Sequence, residues 1–390
     1  MSRRAPVILL FSVLLLVVLG FVMQLSTAGY SMETRADSWA ALRKHTVFCV
    51  AGLLGGTVLM RMDYRHWIRF AKPVYWLSIV LLLLCFAPVI GKDINGASRW
   101  IGYGDLKIQP SEPARLGVIM ALAAFCTVHG QRRLSFLHGY VLPLLLLALP
   151  VALIALEVDL GAAVLLFAAG SAVLFLAGSR LIYLIGSAAI GITILAAAIT
   201  LIPNRVGRVT AFVQLWKESP ADSKEAARFA QFNFQQEQGL IALGSGGLAG
   251  RGLGDGRQKR FYLPYCHTDF VFPVVGEELG ILGTIGTVSL FAAIAIAGLG
   301  IASTAADRFG ALLAGGLVLL IVFQAAINIG VTTACLPNKG MPLPFVSYGG
   351  SNLCSCLLAV GALLSIHRQA RPAELVPEPV LGRPRLTATL

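Results

Sequence analysis

The sequence predicts an all-α integral membrane protein, a bundle of ten transmembrane helices with a long extracytoplasmic loop between helices 7 and 8. Three observations predict it. Charged residues make up only 13% of the 390 residues and hydrophobic residues 57%, with a mean hydropathy of +0.78. About 25% charge is usual for a soluble chain, so there is too little polar surface here to coat a water-soluble body. Ten apolar runs approach the roughly 20 residues that a membrane helix needs. The Lys and Arg residues favour alternate loops, as the positive-inside rule requires. This composition excludes a cytosolic enzyme, a disordered protein and a secreted disulfide scaffold. The net charge of +12 then reads as membrane orientation, and no nucleic-acid partner is expected.

The ten spans fall at about 6–26, 46–62, 73–90, 112–128, 139–156, 159–177, 181–202, 271–300, 310–333 and 350–367. The first follows Arg3 and Arg4, as a signal peptide would. It has no small-x-small cleavage site and nine spans follow, so it is read as a retained helix. With both termini cytoplasmic, fourteen Lys and Arg residues lie on the cytoplasmic side and seven on short outer loops. Residues 1–370 form one polytopic domain. Its outer loop, about 203–270, holds a helix-like stretch near Lys224–Leu243 and then a Gly-rich segment. Loops this long tend to be functional. Residues 371–390, with Pro372, Pro377, Pro379 and Pro384, read as a disordered cytoplasmic tail. Seven cysteines without a CxxC pair read as buried thiols. A bridge between Cys266 and Cys335, both near the outer side, is the one alternative.

Ionisable groups at membrane depth are expensive and seldom accidental. Four groups stand out. In the first, Arg99 is followed by Ser111-Glu112-Pro113-Ala114-Arg115. Ser111 is expected to cap the helix and Pro113 to suit its first turn. Glu112 and Arg115 are three apart and can pair on one face, either as a structural ion pair or as one wall of a polar cavity. In the second, Glu157-Val158-Asp159-Leu160-Gly161 is a tight turn in which Asp159 reads as a helix N-cap. In the third, His267-Thr268-Asp269-Phe270 precedes Gly276-Glu277-Glu278-Leu279-Gly280. Thr268 or Asp269 can cap the helix, but a cap does not explain two adjacent carboxylates further in. In the fourth, residues 336–351 hold three prolines and three glycines, which cannot form a regular helix. Such backbone is tolerated at depth only against protein or a wet cavity. Lys339 in it is a natural anion contact.

The Gly-rich run from Leu243 to Gly254, with Arg251 in it and Arg257, Lys259 and Arg260 after it, offers free N–H groups beside arginines. It reads either as a phosphate holder or as a flexible lid. Together these groups suit an amphiphile with an anionic head, such as a diphosphate, and leave one carboxylate to act as a general base.

GASRW at 96–100, IQPSE at 108–112, LIALGSGG at 240–247, GRGLG at 250–254, HTDF at 267–270, GEELG at 276–280 and PLPFVSYGGS at 342–351 together resemble the SEDS family (shape, elongation, division and sporulation). The similarity runs from about Arg61 to His367. It implies a ten-helix fold and a peptidoglycan glycosyltransferase that polymerises lipid II, an undecaprenyl-diphosphate disaccharide-pentapeptide, at the outer face of the bacterial cytoplasmic membrane. A class B penicillin-binding protein transpeptidase is the implied partner, with other divisome membrane proteins. Asn338-Lys339-Gly340 and Gly250–Gly254 resemble the division member more than its elongation paralogue, which places the chain at the septum.

The resemblance maps the family's essential aspartate onto Asp269. Arg99, Glu112 and Lys339 match further functional positions. Arg115 stands where the family commonly has lysine. Arg251, Glu278 and Ser347 complete the candidate substrate-binding set. A divalent cation, Mg or Mn, is the one cofactor considered, with no metal ligands assigned. The chain departs from the family at Tyr265, where an acidic residue is usual, and at Pro113 and Pro273. Two rival readings remain open on the residues alone. A lipid II flippase needs polar groups near the midplane and access from both sides. A scaffold would only recruit the cross-linking partner.

Overall fold

The computed structural model describes residues 4–28, 39–87, 91–94, 97–103, 106–130, 135–200, 203–215, 223–260 and 262–370. The expected tail lies outside the described residues. The helices are α1 (Ala5–Thr27), α2 (Ala40–Arg61), α3 (Trp67–Leu84), α4 (Ser111–Val128), α5 (Leu142–Leu156), α6 (Leu160–Leu176), α7 (Leu181–Thr200), α8 (Pro203–Leu215), α9 (Ser223–Ser245), α10 (Val271–Ser303), α11 (Arg308–Thr332) and α12 (Gly350–Arg368). Each of the ten apolar runs coincides with one of them. The helices α1, α3, α4, α5, α10, α11 and α12 supply seven spans long and apolar enough to cross a membrane. Helix α6 and the Leu181–Ile194 stretch of α7 are apolar but shorter. Helix α2 opens on Arg43 and Lys44 and ends on Arg61.

The bundle is a multi-span helical assembly with α11 at its centre. Along α11, the seven consecutive residues from Leu312 to Val318 are all buried, and so are Gln324 and Asn328, as they must be when neighbours cover every face. Helix α10 packs on α1 and α11, α6 and α4 pack on α11, and α2 runs along α12. At that last crossing a Cβ on Gly361 would strike the Gly56 carbonyl, so small residues permit backbone contact.

One end of the bundle is closed by basic residues on backbone and carboxylate oxygens. Tyr64 donates to Asp307 at 2.8 Å, and Arg65 joins the same carboxylate at 3.3 Å. Arg308 donates to the Ala177 carbonyl and Arg368 to the Arg61 carbonyl.

The opposite end departs from a purely helical expectation. Between α3 and α4, β1 (Gly91–Ile94), β2 (Ala97–Tyr103) and β3 (Leu106–Ile108) form an antiparallel meander. Lys92 pairs with Trp100, and Ile101 with Ile108. The alternation is too short to stand out beside twenty-residue apolar runs. The long loop is also largely helical: α9 matches the expected stretch, whereas α8 was not anticipated. Ser111 is the first helical residue of α4 rather than its cap, because Pro110 occupies that position. Neither Thr268 nor Asp269 caps α10, whose N-cap is Phe270. All seven cysteines are free thiols, so Cys266 and Cys335 are not bridged.

Candidate active site

Asp269 lies in the turn just before α10, half-buried. The turn is held from three sides. Asn328 of α11 donates to the Asp269 carbonyl at 2.8 Å and to the Met341 carbonyl at 2.6 Å. The Tyr348 N–H donates to the His267 carbonyl at 2.9 Å, and Gln24 of α1 donates to that same carbonyl at 3.0 Å. Ser347 accepts from the Leu343 N–H at 2.8 Å and donates to the Thr268 carbonyl. Its hydroxyl therefore stitches the irregular segment 336–349 to the Asp269 turn. Both of these hydroxyl contacts are to backbone.

The irregular segment needs such partners because its backbone forms no helix. Gln324 donates to the Pro342 carbonyl at 2.9 Å, and Gln236 of α9 donates to the Leu336 carbonyl at 2.9 Å. Buried backbone polar groups must be paired, and an amide ladder on α9 and α11 does this. Gln324 and Asn328 are four apart in an otherwise apolar run. That spacing was a readable signal that the sequence analysis passed over.

The cations gather around Asp159. Its carboxylate accepts from the Ala162 N–H at 3.1 Å, so it does cap α6. It also accepts from Gln109 at 3.1 Å and lies 3.1 Å from the Lys339 ammonium and 3.8 Å from the Arg99 guanidinium. Burial alone would raise its pKa. Lys339 and Arg99 outweigh that and hold it below the ordinary carboxylate range. Asp269 shares the same electrostatic neighbourhood. Burial pushes it up to about 6; Asp159 adds to the rise, while Arg99 and Lys339 oppose it. Gly340 lies against this carboxylate, where a Cβ would strike its Oδ2. Asp269, Arg99 and Lys339 thus share one electrostatic neighbourhood around Asp159.

Among the described residues, four other than glycine adopt positive φ: Val158 (67°), Tyr265 (55°), Ala334 (55°) and Phe345 (66°). Val158 precedes Asp159, Tyr265 lies in the Asp269 turn, and Ala334 and Phe345 flank Lys339 in sequence. Each such conformation costs about 1–3 kcal/mol, and such strain collects at functional sites.

Glu112 and Arg115 form the expected ion pair on α4, both buried. Asn352 of α12 donates to the same Glu112 carboxylate at 2.9 Å, and Arg115 donates to Gln324 at 3.3 Å. Gln324 also holds the Pro342 carbonyl, so this pair braces the site's irregular segment from within the bundle. A small cavity bounded by Glu112, Arg115, Gln324 and Cys356 lies beside it.

Glu278 and Arg251 belong elsewhere. Glu278 lies 2.5 Å from Lys259 and accepts from Ser26 and from the Gly254 N–H. Glu277 accepts from the Arg257 and Gln258 N–H groups at 2.7 and 3.1 Å. The Arg251 and Gly252 N–H groups donate to the Glu277 and Glu278 carbonyls. These contacts correct the expected phosphate holder: the glycine-rich run spends its N–H groups on the break in α10 at Gly280 (φ 69°, ψ −162°). The Arg251 side chain is exposed and donates through Nε to the Ser245 carbonyl. Glu278 shares none of these contacts with Asp269, Arg99 or Lys339. Its carboxylate is tied instead to Lys259, Ser26 and the glycine-rich segment. The expected divalent cation finds no group of three or more His, Cys, Asp or Glu among the described residues, so no step is derived through it.

The family model for FtsW, RodA and SpoVE, described as cell cycle protein, matches residues 7–372. The probable peptidoglycan glycosyltransferase FtsW of Geobacter metallireducens is 37% identical over 374 residues, covering 93% of this chain and 95% of the relative. Stage V sporulation protein E of Bacillus subtilis is 34% identical over 372 residues, covering 95% and 99%. Among solved structures, one from work on the structural coordination of polymerization and crosslinking by a peptidoglycan synthase complex superposes with a TM-score of 0.74. It is 28% identical and covers 92% of this chain and 96% of its own.

Proposed function

The chain belongs to the SEDS family, the FtsW, RodA and SpoVE cell-cycle proteins, and from that premise we propose that it is a peptidoglycan glycosyltransferase that polymerises lipid II. The relatives named as such, matched over nearly their whole length, support the activity. The observation that carries the mechanism is the half-buried Asp269 carboxylate, pushed up to about 6, beside Arg99 and Lys339. A base works best when its pKa lies near the working pH. At neutral pH Asp269 is ionised, yet basic enough to take a proton.

In this reading Asp269 removes the proton from the acceptor sugar's 4-hydroxyl. That oxygen forms a bond to the donor's anomeric carbon as the bond from that carbon to the diphosphate oxygen breaks. Undecaprenyl diphosphate leaves with the electron pair. Arg99 and Lys339 meet the charge that develops on it, and fixed cations are worth most where charge develops. Glu112 and Arg115 act indirectly, by fixing Gln324 and through it the Lys339 segment.

We place the reaction at the outer face of the bacterial inner membrane, with both termini cytoplasmic. The basic closure at the Arg61–Arg308–Arg368 end supports that orientation. The solved peptidoglycan synthase complex supports a cross-linking partner, a class B penicillin-binding protein. Asn338-Lys339-Gly340 and the FtsW names of several relatives support septal work with other divisome proteins. The test is incubation of the purified chain, with its partner, with labelled lipid II. Glycan polymer supports the reading. Transbilayer movement of lipid II without polymer would replace it with a flippase.

A further inference from the structure

Asp159 reads from sequence as a helix cap and nothing more. Its surroundings ask for more than that. The residue is only 4% exposed, and four separate segments converge on its two oxygens. The Ala162 N–H comes from α6, Gln109 from the end of β3, Lys339 from the irregular segment and Arg99 from β2. A cap needs only the first of these. The turn is reached through Val158 at φ 67°, a cost a β-branched residue seldom bears. Gly161 has no room for a side chain because the Lys339 stem occupies that space, 2.6 Å from where a Cβ would stand.

We propose that Asp159 is a positioning residue for the transfer reaction: its carboxylate gathers Arg99 and Lys339 from two different elements and aims them at the space beside Asp269, where the lipid diphosphate leaves. The inference rests on the glycosyltransferase reading. Without Asp159, two cations on a strand and an irregular segment repel each other and have no common anchor. With it, their arrangement exists before substrate arrives, and preorganised charge is the efficient kind. The ionisable groups facing Asp159 are Arg99 from β2, Lys339 from the irregular segment, Asp269 from the turn before α10 and Glu157 at the end of α5. Burial pushes Glu157 up to about 8, so it is largely uncharged at neutral pH and does not compete for the cations.

The discriminating variant is Asp159→Asn. Asparagine caps helices as well as aspartate does, so the cap and thermal unfolding should survive. The anchoring charge is gone. Misplacement of about 1 Å costs on the order of 100-fold in rate, and a loss of that order in kcat is expected with the partner complex and labelled lipid II. The acidic limb of the pH–rate profile should also move to lower pH. Asp159 no longer raises Asp269, while Arg99 and Lys339 still stabilise its charged form. Asp159→Glu should recover part of the rate. An Asp159→Asn enzyme with unchanged kcat and an unmoved acidic limb overturns the proposal. A wild-type complex that makes no polymer overturns the glycosyltransferase reading instead, and the two failures are distinct. If Asp159→Asn unfolds, Asp159→Glu, which keeps the charge but shifts its position, is paired with Lys339→Met instead. Energetic additivity of the two losses in rate counts against a shared role, and non-additivity supports it.

Discussion

The Lys259 ammonium lies 2.5 Å from the Glu278 carboxylate, and both side chains are fully shielded from solvent. The pair joins the glycine-rich segment to the break in α10, with the Ser26 hydroxyl of α1 completing it. It builds into the fold a carboxylate that the sequence offers as a substrate contact. Buried pairs are costly to break from one side, by about 3–5 kcal/mol, because the remaining charge has nowhere to go. Lys259→Met should therefore lower thermal stability in detergent sharply. Lys259→Met with Glu278→Leu should lower it less than the sum of the two single changes.

Gly280 sits at φ 69° and ψ −162°, a region open essentially to glycine alone. A Cβ there would also strike the Gly250 N–H. Gly280→Ala should loosen the glycine-rich segment from α10, and protease cleavage between 246 and 260 should quicken at temperatures where the bundle remains folded.

Gly340 sits in the irregular segment with its Cα facing the Asp269 carboxylate. Gly340→Ala should displace that carboxylate and lower polymerisation by at least about tenfold, since small misplacements at a reacting group are expensive. Circular dichroism and thermal unfolding should change little. Activity equal to the wild type would show that Asp269 has more freedom than this packing allows.

Glu112→Gln leaves Arg115 buried with a neutral partner. Arg115 then bears on Gln324, and Gln324 on the Pro342 carbonyl. Loss of stability and loss of activity should appear together. Arg115→Lys should be milder than Arg115→Met, because the charge stays even though the fork geometry is lost. A change that removes activity but leaves stability intact would mean that the pair touches substrate directly.

Activity should rise with pH through the Asp269 titration. Burial raises its folded pKa to about 6, so the group is protonated and useless as a base below that value and ionised above it. The rate should be half-maximal near pH 6 on the acidic side. A limb near pH 4, where an ordinary exposed aspartate titrates, would contradict the buried setting.

Much of this was legible in advance. The apolar runs coincide with α1–α7 and α10–α12, of which seven are long and apolar enough to cross a membrane. Asp269, Arg99 and Lys339 stood out because charges are rare in such a chain. The pairing of Glu112 with Arg115 followed from their spacing of three. The meander at 91–108 was not legible, because strands of three to seven residues carry little periodicity. Helix α8 is amphipathic rather than apolar throughout, so no apolar run marks it. The roles of Asp159, Lys259 and Glu278 depend on contacts between segments far apart in sequence. A capping aspartate looks the same whether one donor or four converge on it. The glycine-rich run looked like a phosphate holder because its N–H groups are countable in sequence, but their acceptors on Glu277 and Glu278 are not.

The most direct test of the account is polymerisation of labelled lipid II by the purified complex carrying Asp269→Asn, beside the wild type under the same conditions. The substitution keeps the size of the side chain and removes the base. The account predicts glycan strands from the wild type and none above background from Asp269→Asn, with unchanged thermal unfolding. Full-length strands made by Asp269→Asn at the wild-type rate would contradict it.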